Sequence, residues 1–132
     1  MINIEKQINY WIKSAELDFN TASDIFKSGK NYHFCLFICH LVIEKLLKAI
    51  IVKATSDFPP KTHNLLRLAE LGKLELNNDK LTLLQELTLY QIDTRYPDEK
   101  FSLYKTATKE FTEIRYNKVF EIKDWLLKCL KN

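Results

Sequence analysis

With 132 residues, 46% of them hydrophobic and 28% charged, the chain has the composition of one globular domain, residues 1–132, and not of a disordered segment. The net charge of +3 is too small to indicate nucleic-acid binding by itself. The N-terminus lacks a signal-peptide core, and the longest apolar stretch, 32–52, contains Glu44, Lys45 and Lys48. We therefore expect a cytoplasmic protein with no contact to a membrane.

Apolar residues at three- and four-residue steps predict that the first half of the chain forms two long helices. The first helix is expected over 4–28, with Asn3 as its N-cap and Gly29 at its end. The second is expected over 32–54 and is apolar on nearly all sides, which predicts a place at the centre of the fold. Pro59 and Pro60 then indicate a rigid loop.

The second half predicts three more helices. A short helix 3 is expected to begin at Thr62, its N-cap, and to end before Gly72. Helix 4 is expected over 79–92 and helix 5, unbroken, over 103–130, with a loop between them. The short turn between the first two helices makes them antiparallel neighbours. The predicted fold is all-α, an up-down antiparallel bundle of about five helices with a short inserted helix 3.

Periodicity also predicts the inward faces of the last two helices. In helix 4 these residues are Leu81, Leu84, Thr88 and Ile92, and in helix 5 they are Ala107, Phe111, Ile114, Ile122, Trp125 and Cys129.

Four segments, in order and at compatible spacing over nearly the whole chain, resemble the motifs of one family. They are Tyr10-Trp11 with Ala15-Glu16 and Asp18; Tyr32 to Phe37 with Glu44-Lys45 and Leu47-Lys48-Ala49; Pro60-Lys61-Thr62-His63-Asn64-Leu65; and Tyr90 with Thr94-Arg95-Tyr96-Pro97. Together they resemble the HEPN family (higher eukaryotes and prokaryotes nucleotide-binding domain).

The resemblance implies a small helical bundle, commonly a homodimer, that works with a separately encoded minimal nucleotidyltransferase, often as a toxin–antitoxin pair. Other branches of the superfamily are metal-independent ribonucleases with an arginine followed within a few residues by a histidine. This chain lacks that motif, because His33, His40 and His63 all precede Arg67 and Arg95. The resemblance therefore favours a partner protein and leaves catalysis open.

Arginine is scarce in this chain, and Arg95 lies in a segment whose backbone is constrained by Pro97. Its guanidinium could clamp a nucleotide phosphate through two parallel hydrogen bonds while Tyr96 stacks on the base. The structural alternative is an ion pair with Glu44 or Asp98 that fixes the loop.

His40, Glu44 and Lys48 share one face of helix 2 because they are four residues apart, and Lys45 adjoins Glu44. Histidine and glutamate at this spacing could act as acid and base or supply two metal ligands. No third ligand is evident nearby, so we predict no metal and no cofactor. We favour an internal polar seam, with Glu44 satisfied by Lys45, Lys48 or Arg95.

His63 and Lys61 precede or begin helix 3, whose N-terminus favours anions, so they are candidates for a phosphate contact. A local hydrogen bond that shapes the loop explains His63 equally simply. Cys35, Cys39 and Cys129 are odd in number and are read as reduced thiols.

The sequence thus predicts a homodimeric HEPN-like partner of a minimal nucleotidyltransferase that binds a nucleotide or RNA. Arg95, Tyr96, His63 and Lys61 are the candidate phosphate contacts, and no catalytic residue is assigned. The alternative is a divergent metal-independent endoribonuclease built from Arg95, Tyr96 and either His40 or His63.

Overall fold

The computed structural model describes residues 2–93 and 97–132, and the side chains in those ranges apart from 92, 93 and 97–101. The described residues form six helices and no strand, which confirms the all-α fold class. The helices are α1 (Ile4–Ser28), α2 (Tyr32–Thr55), α3 (Leu65–Leu71), α4 (Asn78–Asp93), α5 (Pro97–Thr106) and α6 (Lys109–Lys131).

The first two helices begin and end within one residue of the predicted positions. The side chain of Asn3 accepts a hydrogen bond from the backbone N–H of Lys6, at 3.0 Å, and so caps α1. Gly29 ends α1 in the left-handed conformation, with φ of 76°, and its N–H donates to the carbonyl of Phe26.

The second helix, α2, is the centre of the molecule. It packs mainly against α1 and α6, and it also contacts α3, α4 and α5. Most of its residues are buried, which agrees with a sequence that is apolar on nearly all sides. Within the described residues, no helix combines the length and apolar character needed to cross a bilayer.

Helix α3 begins at Leu65, so the prediction of Thr62 as its N-cap is wrong. The side chain of Asn64 caps the helix instead by accepting from the N–H of Arg67 at 3.2 Å. The hydroxyl of Thr62 accepts from the N–H of Asn64 and forms a local turn before the helix. His63 therefore lies in the approach to α3 and not in its first turn.

The predicted unbroken helix over 103–130 is also wrong, because two helices, α5 and α6, occupy this region. The break lies at Thr108, which has extended backbone angles and accepts from the N–H of Phe111 at 3.2 Å as the N-cap of α6. The bundle therefore has six helices in its described part, one more than predicted.

Two positions predicted to face the core lie on the surface, since Leu81 and Ile114 are both exposed. In α4 the core is filled by Leu83, Leu84 and Leu87. The buried face of α6 comprises Thr112, Val119, Ile122 and Leu126. The side chain of Ile92 lies outside the described residues.

Candidate functional site

Arg95 and Tyr96, two of the predicted phosphate contacts, lie outside the described residues, as does Thr94. The side chains of Pro97 and Asp98 are also outside the described part. The predicted clamp in this segment therefore remains a prediction.

Glu44, near the middle of α2, is the centre of a buried polar cluster, with only 5% of its surface exposed. Its Oε1 lies 3.0 Å from Nε2 of His40 and 2.8 Å from Nδ1 of His63. Its Oε2 lies 3.3 Å from Nζ of Lys48. Three side chains, two of them from α2 itself, thus surround one carboxylate.

The carboxylate of Glu44 is held in its ionised form. Burial by itself would raise the pKa of Glu44, because desolvation disfavours the charge. The hydrogen bonds from His40 and His63 and the positive charge of Lys48 outweigh burial and lower the pKa to about 2. Glu44 therefore carries a fixed negative charge, and the three side chains around it are groups that can carry protons.

His40 joins the cluster to α4. Its ring is fully buried, and its Nδ1 lies 3.0 Å from the backbone carbonyl of Leu87. Because a carbonyl oxygen can only accept a hydrogen bond, Nδ1 of His40 carries a proton. This bond fixes the orientation of the ring, so that Nε2 points at Glu44.

His63 is the accessible edge of the cluster, with 41% of its side chain exposed. It comes from the loop before α3, nineteen residues after Glu44, and reaches the carboxylate from outside α2. The turn made by Thr62 and the cap made by Asn64 keep this segment out of helical geometry and set the position of the ring. A ligand from solvent would meet His63 first.

A model of the HEPN domain matches residues 8–130. The chain belongs to the HEPN domain family. This HEPN chain is similar in fold to TT1696 from Thermus thermophilus, whose crystal structure gives a TM-score of 0.75 at 20% sequence identity, covering 92% of this chain and 97% of that one. No curated protein sequence matches it significantly.

Both ends of the Glu44–His63 contact come from segments that carry the family resemblance. Glu44 belongs to the Glu44-Lys45 pair of α2, and His63 belongs to the segment from Pro60 to Leu65. The HEPN fold therefore brings two separate motifs into one hydrogen-bonded cluster.

Two of the remaining candidates, Lys45 and Lys61, lie around this cluster and not in it. Lys45 points to α1, where its Nζ lies 2.6 Å from Oδ2 of Asp18. Lys61 is exposed in the loop before α3, two residues from His63. Lys48 lies 5.4 Å from the ring centroid of Trp11, which places an aromatic face beside the Glu44 cluster.

Sequence reasoning missed a second polar cluster in the HEPN chain, between α4 and α6. Nε of Arg115 donates to Oε1 of Glu86 at 2.5 Å, and the hydroxyl of Tyr90 donates to the same oxygen at 2.7 Å. Burial and the neighbouring carboxylate raise the pKa of Tyr90 well above its usual range, so it stays protonated. The scarcity of arginine was the one sequence feature that could have indicated this cluster, and it indicated Arg67 just as strongly as Arg115.

A groove of about 510 Å³ lies beside this second cluster, between α4 and α6. Glu86 forms part of its wall, opposite Trp125 and Lys118. The ammonium of Lys80 lies 4.6 Å from the ring centroid of Trp125 and closes one side of the groove. Of the predicted phosphate contacts that the structure describes, neither His63 nor Lys61 lines this groove.

Proposed function

We propose that this protein is a nucleotide-binding HEPN module that acts as the homodimeric partner of a separately encoded minimal nucleotidyltransferase, as in a toxin–antitoxin pair. The observation that supports nucleotide binding is the half-exposed ring of His63, held by a buried carboxylate at 2.8 Å. Membership of the HEPN family, whose model matches residues 8–130, supports the partner role.

The chemistry of the site suits a phosphate group. Glu44 accepts a hydrogen bond from Nδ1 of His63 and so fixes the ring, and in the doubly protonated ring Nε2 donates to a phosphate oxygen. Lys61 is exposed on the same short segment and can add a second positive charge. In this proposal Arg95 and Tyr96 complete the site by binding a further phosphate oxygen and stacking on the base.

Isothermal titration calorimetry with a nucleoside triphosphate and with the matching monophosphate tests this site. We expect binding by the wild-type protein, and a loss of about tenfold or more in affinity for His63→Gln, since a lost hydrogen bond to a charged group is worth roughly 1.5–3 kcal/mol. Lys61→Ala should weaken binding, whereas Lys73→Ala, which removes an exposed lysine just after α3, should not. Equal affinity in wild type and His63→Gln would exclude this site.

The partner role has its own test. If a gene beside this one encodes a minimal nucleotidyltransferase, the two proteins should co-purify after co-expression, and light scattering should show a dimer of this chain inside the complex. Separate elution of the two proteins at micromolar concentration would contradict the partnership while leaving nucleotide binding intact.

The alternative, a metal-independent endoribonuclease, is favoured by one observation. An accessible imidazole whose other nitrogen bonds to a carboxylate is the arrangement of an oriented acid or base, and His63 and Glu44 form such a pair at 2.8 Å. Cleavage of a fluorescent structured RNA in EDTA, abolished by His63→Gln, would establish this activity. Cleavage that persists in Arg95→Ala would exclude the mechanism that uses Arg95.

A further inference from the structure

Three ligand atoms from the Glu44 cluster converge on one point. Nε2 of His40, an oxygen of Glu44 and Nδ1 of His63 all lie within 4.8 Å of one another. His40 and Glu44 are one turn apart on α2, and His63 comes from the loop before α3, so the three donors come from two directions. His63 is the third ligand, which the sequence around His40 and Glu44 does not reveal. We propose that His40, Glu44 and His63 bind a zinc-class divalent transition metal ion.

The hydrogen bonds of His40 point to a cation at this place. The carbonyl of Leu87 requires a proton on Nδ1 of His40, so in a neutral ring Nε2 has a lone pair. That lone pair would face the carboxylate oxygen of Glu44 at 3.0 Å, with two acceptors in contact and no donor between them. In the metal-free protein a proton on Nε2 fills this contact, and a bound metal ion would take the place of that proton.

The surroundings of His40 are those of a metal ligand. Metal-bound histidines commonly donate the other ring N–H to a backbone carbonyl or carboxylate, which fixes the tautomer and the ring plane. His40 does this with Leu87 at 3.0 Å. Lys48 bonds to the other oxygen of Glu44, Oε2, and thereby leaves Oε1 directed at the two histidines.

The two distances from Oε1 of Glu44 are close to those of a zinc site, and the two histidine nitrogens lie within 4.8 Å of each other. Zinc binds histidine nitrogen and carboxylate oxygen at about 2.0–2.2 Å, so two ligands at a tetrahedral angle lie about 3.3 Å apart. The observed separations from Oε1 are 3.0 and 2.8 Å, a few tenths of an ångström shorter. His63, the half-exposed ligand, can supply this movement without disturbing the core.

The ligand types favour zinc over calcium or magnesium. Two imidazoles and one carboxylate suit Zn²⁺, whereas Ca²⁺ and Mg²⁺ require mostly oxygen ligands. Three protein ligands would leave the fourth position of a tetrahedral zinc ion to a water molecule or an anion. The nearby charge of Lys48 repels a cation, so an anion in the fourth position, such as hydroxide or phosphate, is expected to strengthen binding.

Metal binding is measured on the full chain after dialysis against EDTA, by competition for Zn²⁺ with a chromophoric chelator. We expect one Zn²⁺ per chain, and affinity reduced at least about tenfold in His63→Gln, which removes a ligand from the surface side. His33→Gln is the matched control, because it removes a histidine outside the three-ligand cluster and should bind Zn²⁺ like the wild type. Mg²⁺ should not compete.

Cysteines are the main competing source of zinc affinity. Cys129 is the least buried thiol, so Cys129→Ser should leave the stoichiometry and affinity unchanged. Co²⁺ in the site should give visible ligand-field bands without the intense charge-transfer band of thiolate ligands. Circular dichroism of His63→Gln checks that the variant is folded.

Two results would overturn the site: no stoichiometric Zn²⁺ binding by the wild type, or equal affinity in His63→Gln. Nitrogen NMR of the metal-free protein gives a readout separate from affinity. A shift of Nε2 of His40 on addition of Zn²⁺ supports the assignment, and an unchanged spectrum contradicts it. Neither outcome bears on the nucleotide proposal, because calorimetry with nucleotide in EDTA tests that binding without metal.

Discussion

At the residue scale, Glu44 is the group on which the cluster depends. A buried carboxylate without partners would be protonated, but two histidines and one lysine contact this one. The sequence placed His40, Glu44 and Lys48 on one helix face from their spacing. It did not reveal that His63 joins them, since a contact across nineteen residues depends on how α2 and the loop before α3 pack.

The lowered pKa of Glu44 predicts a pH-dependent contribution to stability. Because the folded-state pKa is about 2 and the ordinary value is 4.5, the ionised carboxylate stabilises the fold above about pH 4.5. This contribution is lost as the pH falls from 4.5 through 2. Between pH 5 and pH 3, the stability advantage of the wild type over Glu44→Gln should shrink by about 2 kcal/mol.

Urea denaturation in EDTA at both pH values measures this difference, and EDTA removes any effect of bound metal. Glu70→Gln, which alters an exposed carboxylate on α3, is the control and should show little change in its stability gap. A gap for Glu44→Gln that is constant between pH 5 and pH 3 would contradict an ionised, hydrogen-bonded Glu44.

At the element scale, the sequence predicted helix interiors better than helix boundaries. Asn3 and Gly29 are single strong signals and were correct. Thr62 and Asn64 can both cap a helix, and the choice between them depends on tertiary contacts, such as the bond from the N–H of Leu65 to Thr88. The break at Thr108 was hidden because apolar spacing continues across it.

The N-cap at Thr108 is therefore a testable element of the fold. Its hydroxyl satisfies the N–H of Phe111, which is otherwise without a helical partner. We expect Thr108→Ala to lower the free energy of unfolding by about 1 kcal/mol, whereas Thr108→Asn, which keeps a capping oxygen, should cost a few tenths. Chemical denaturation distinguishes the two. If α5 and α6 formed one helix, as the periodicity suggested, alanine would stabilise the protein instead.

At the scale of the whole molecule, the sequence predicted the class of the fold because a nearly all-apolar helix requires partners on every side. The α2 helix receives them from α1, α3, α4, α5 and α6. What could not be predicted is which polar groups cross between distant helices. The Glu44 cluster joins α2 to α4 and to the loop before α3, and the Arg115 cluster joins α4 to α6.

The Arg115 cluster is expected to hold α6 against α4 across the groove that separates them. Nε of Arg115 donates to Glu86, one of its terminal nitrogens donates to the carbonyl of Phe111, and its guanidinium lies 3.4 Å from the ring centroid of Phe111. Because Arg115 and Glu86 are partly buried, Arg115→Gln should lower the free energy of unfolding by about 1–2 kcal/mol.

Arg67→Gln is the matched control, since Arg67 pairs with Glu70 within α3 and both side chains are exposed. That variant should change stability by no more than about 0.5 kcal/mol. A double-mutant cycle of Arg115→Gln with Glu86→Gln isolates the pair itself and should give a coupling energy of about 1 kcal/mol. A coupling near zero would mean that the Arg115–Glu86 pair adds nothing to the contacts that α6 makes with α2, namely its apolar face and the bonds from Lys53 to its last carbonyls.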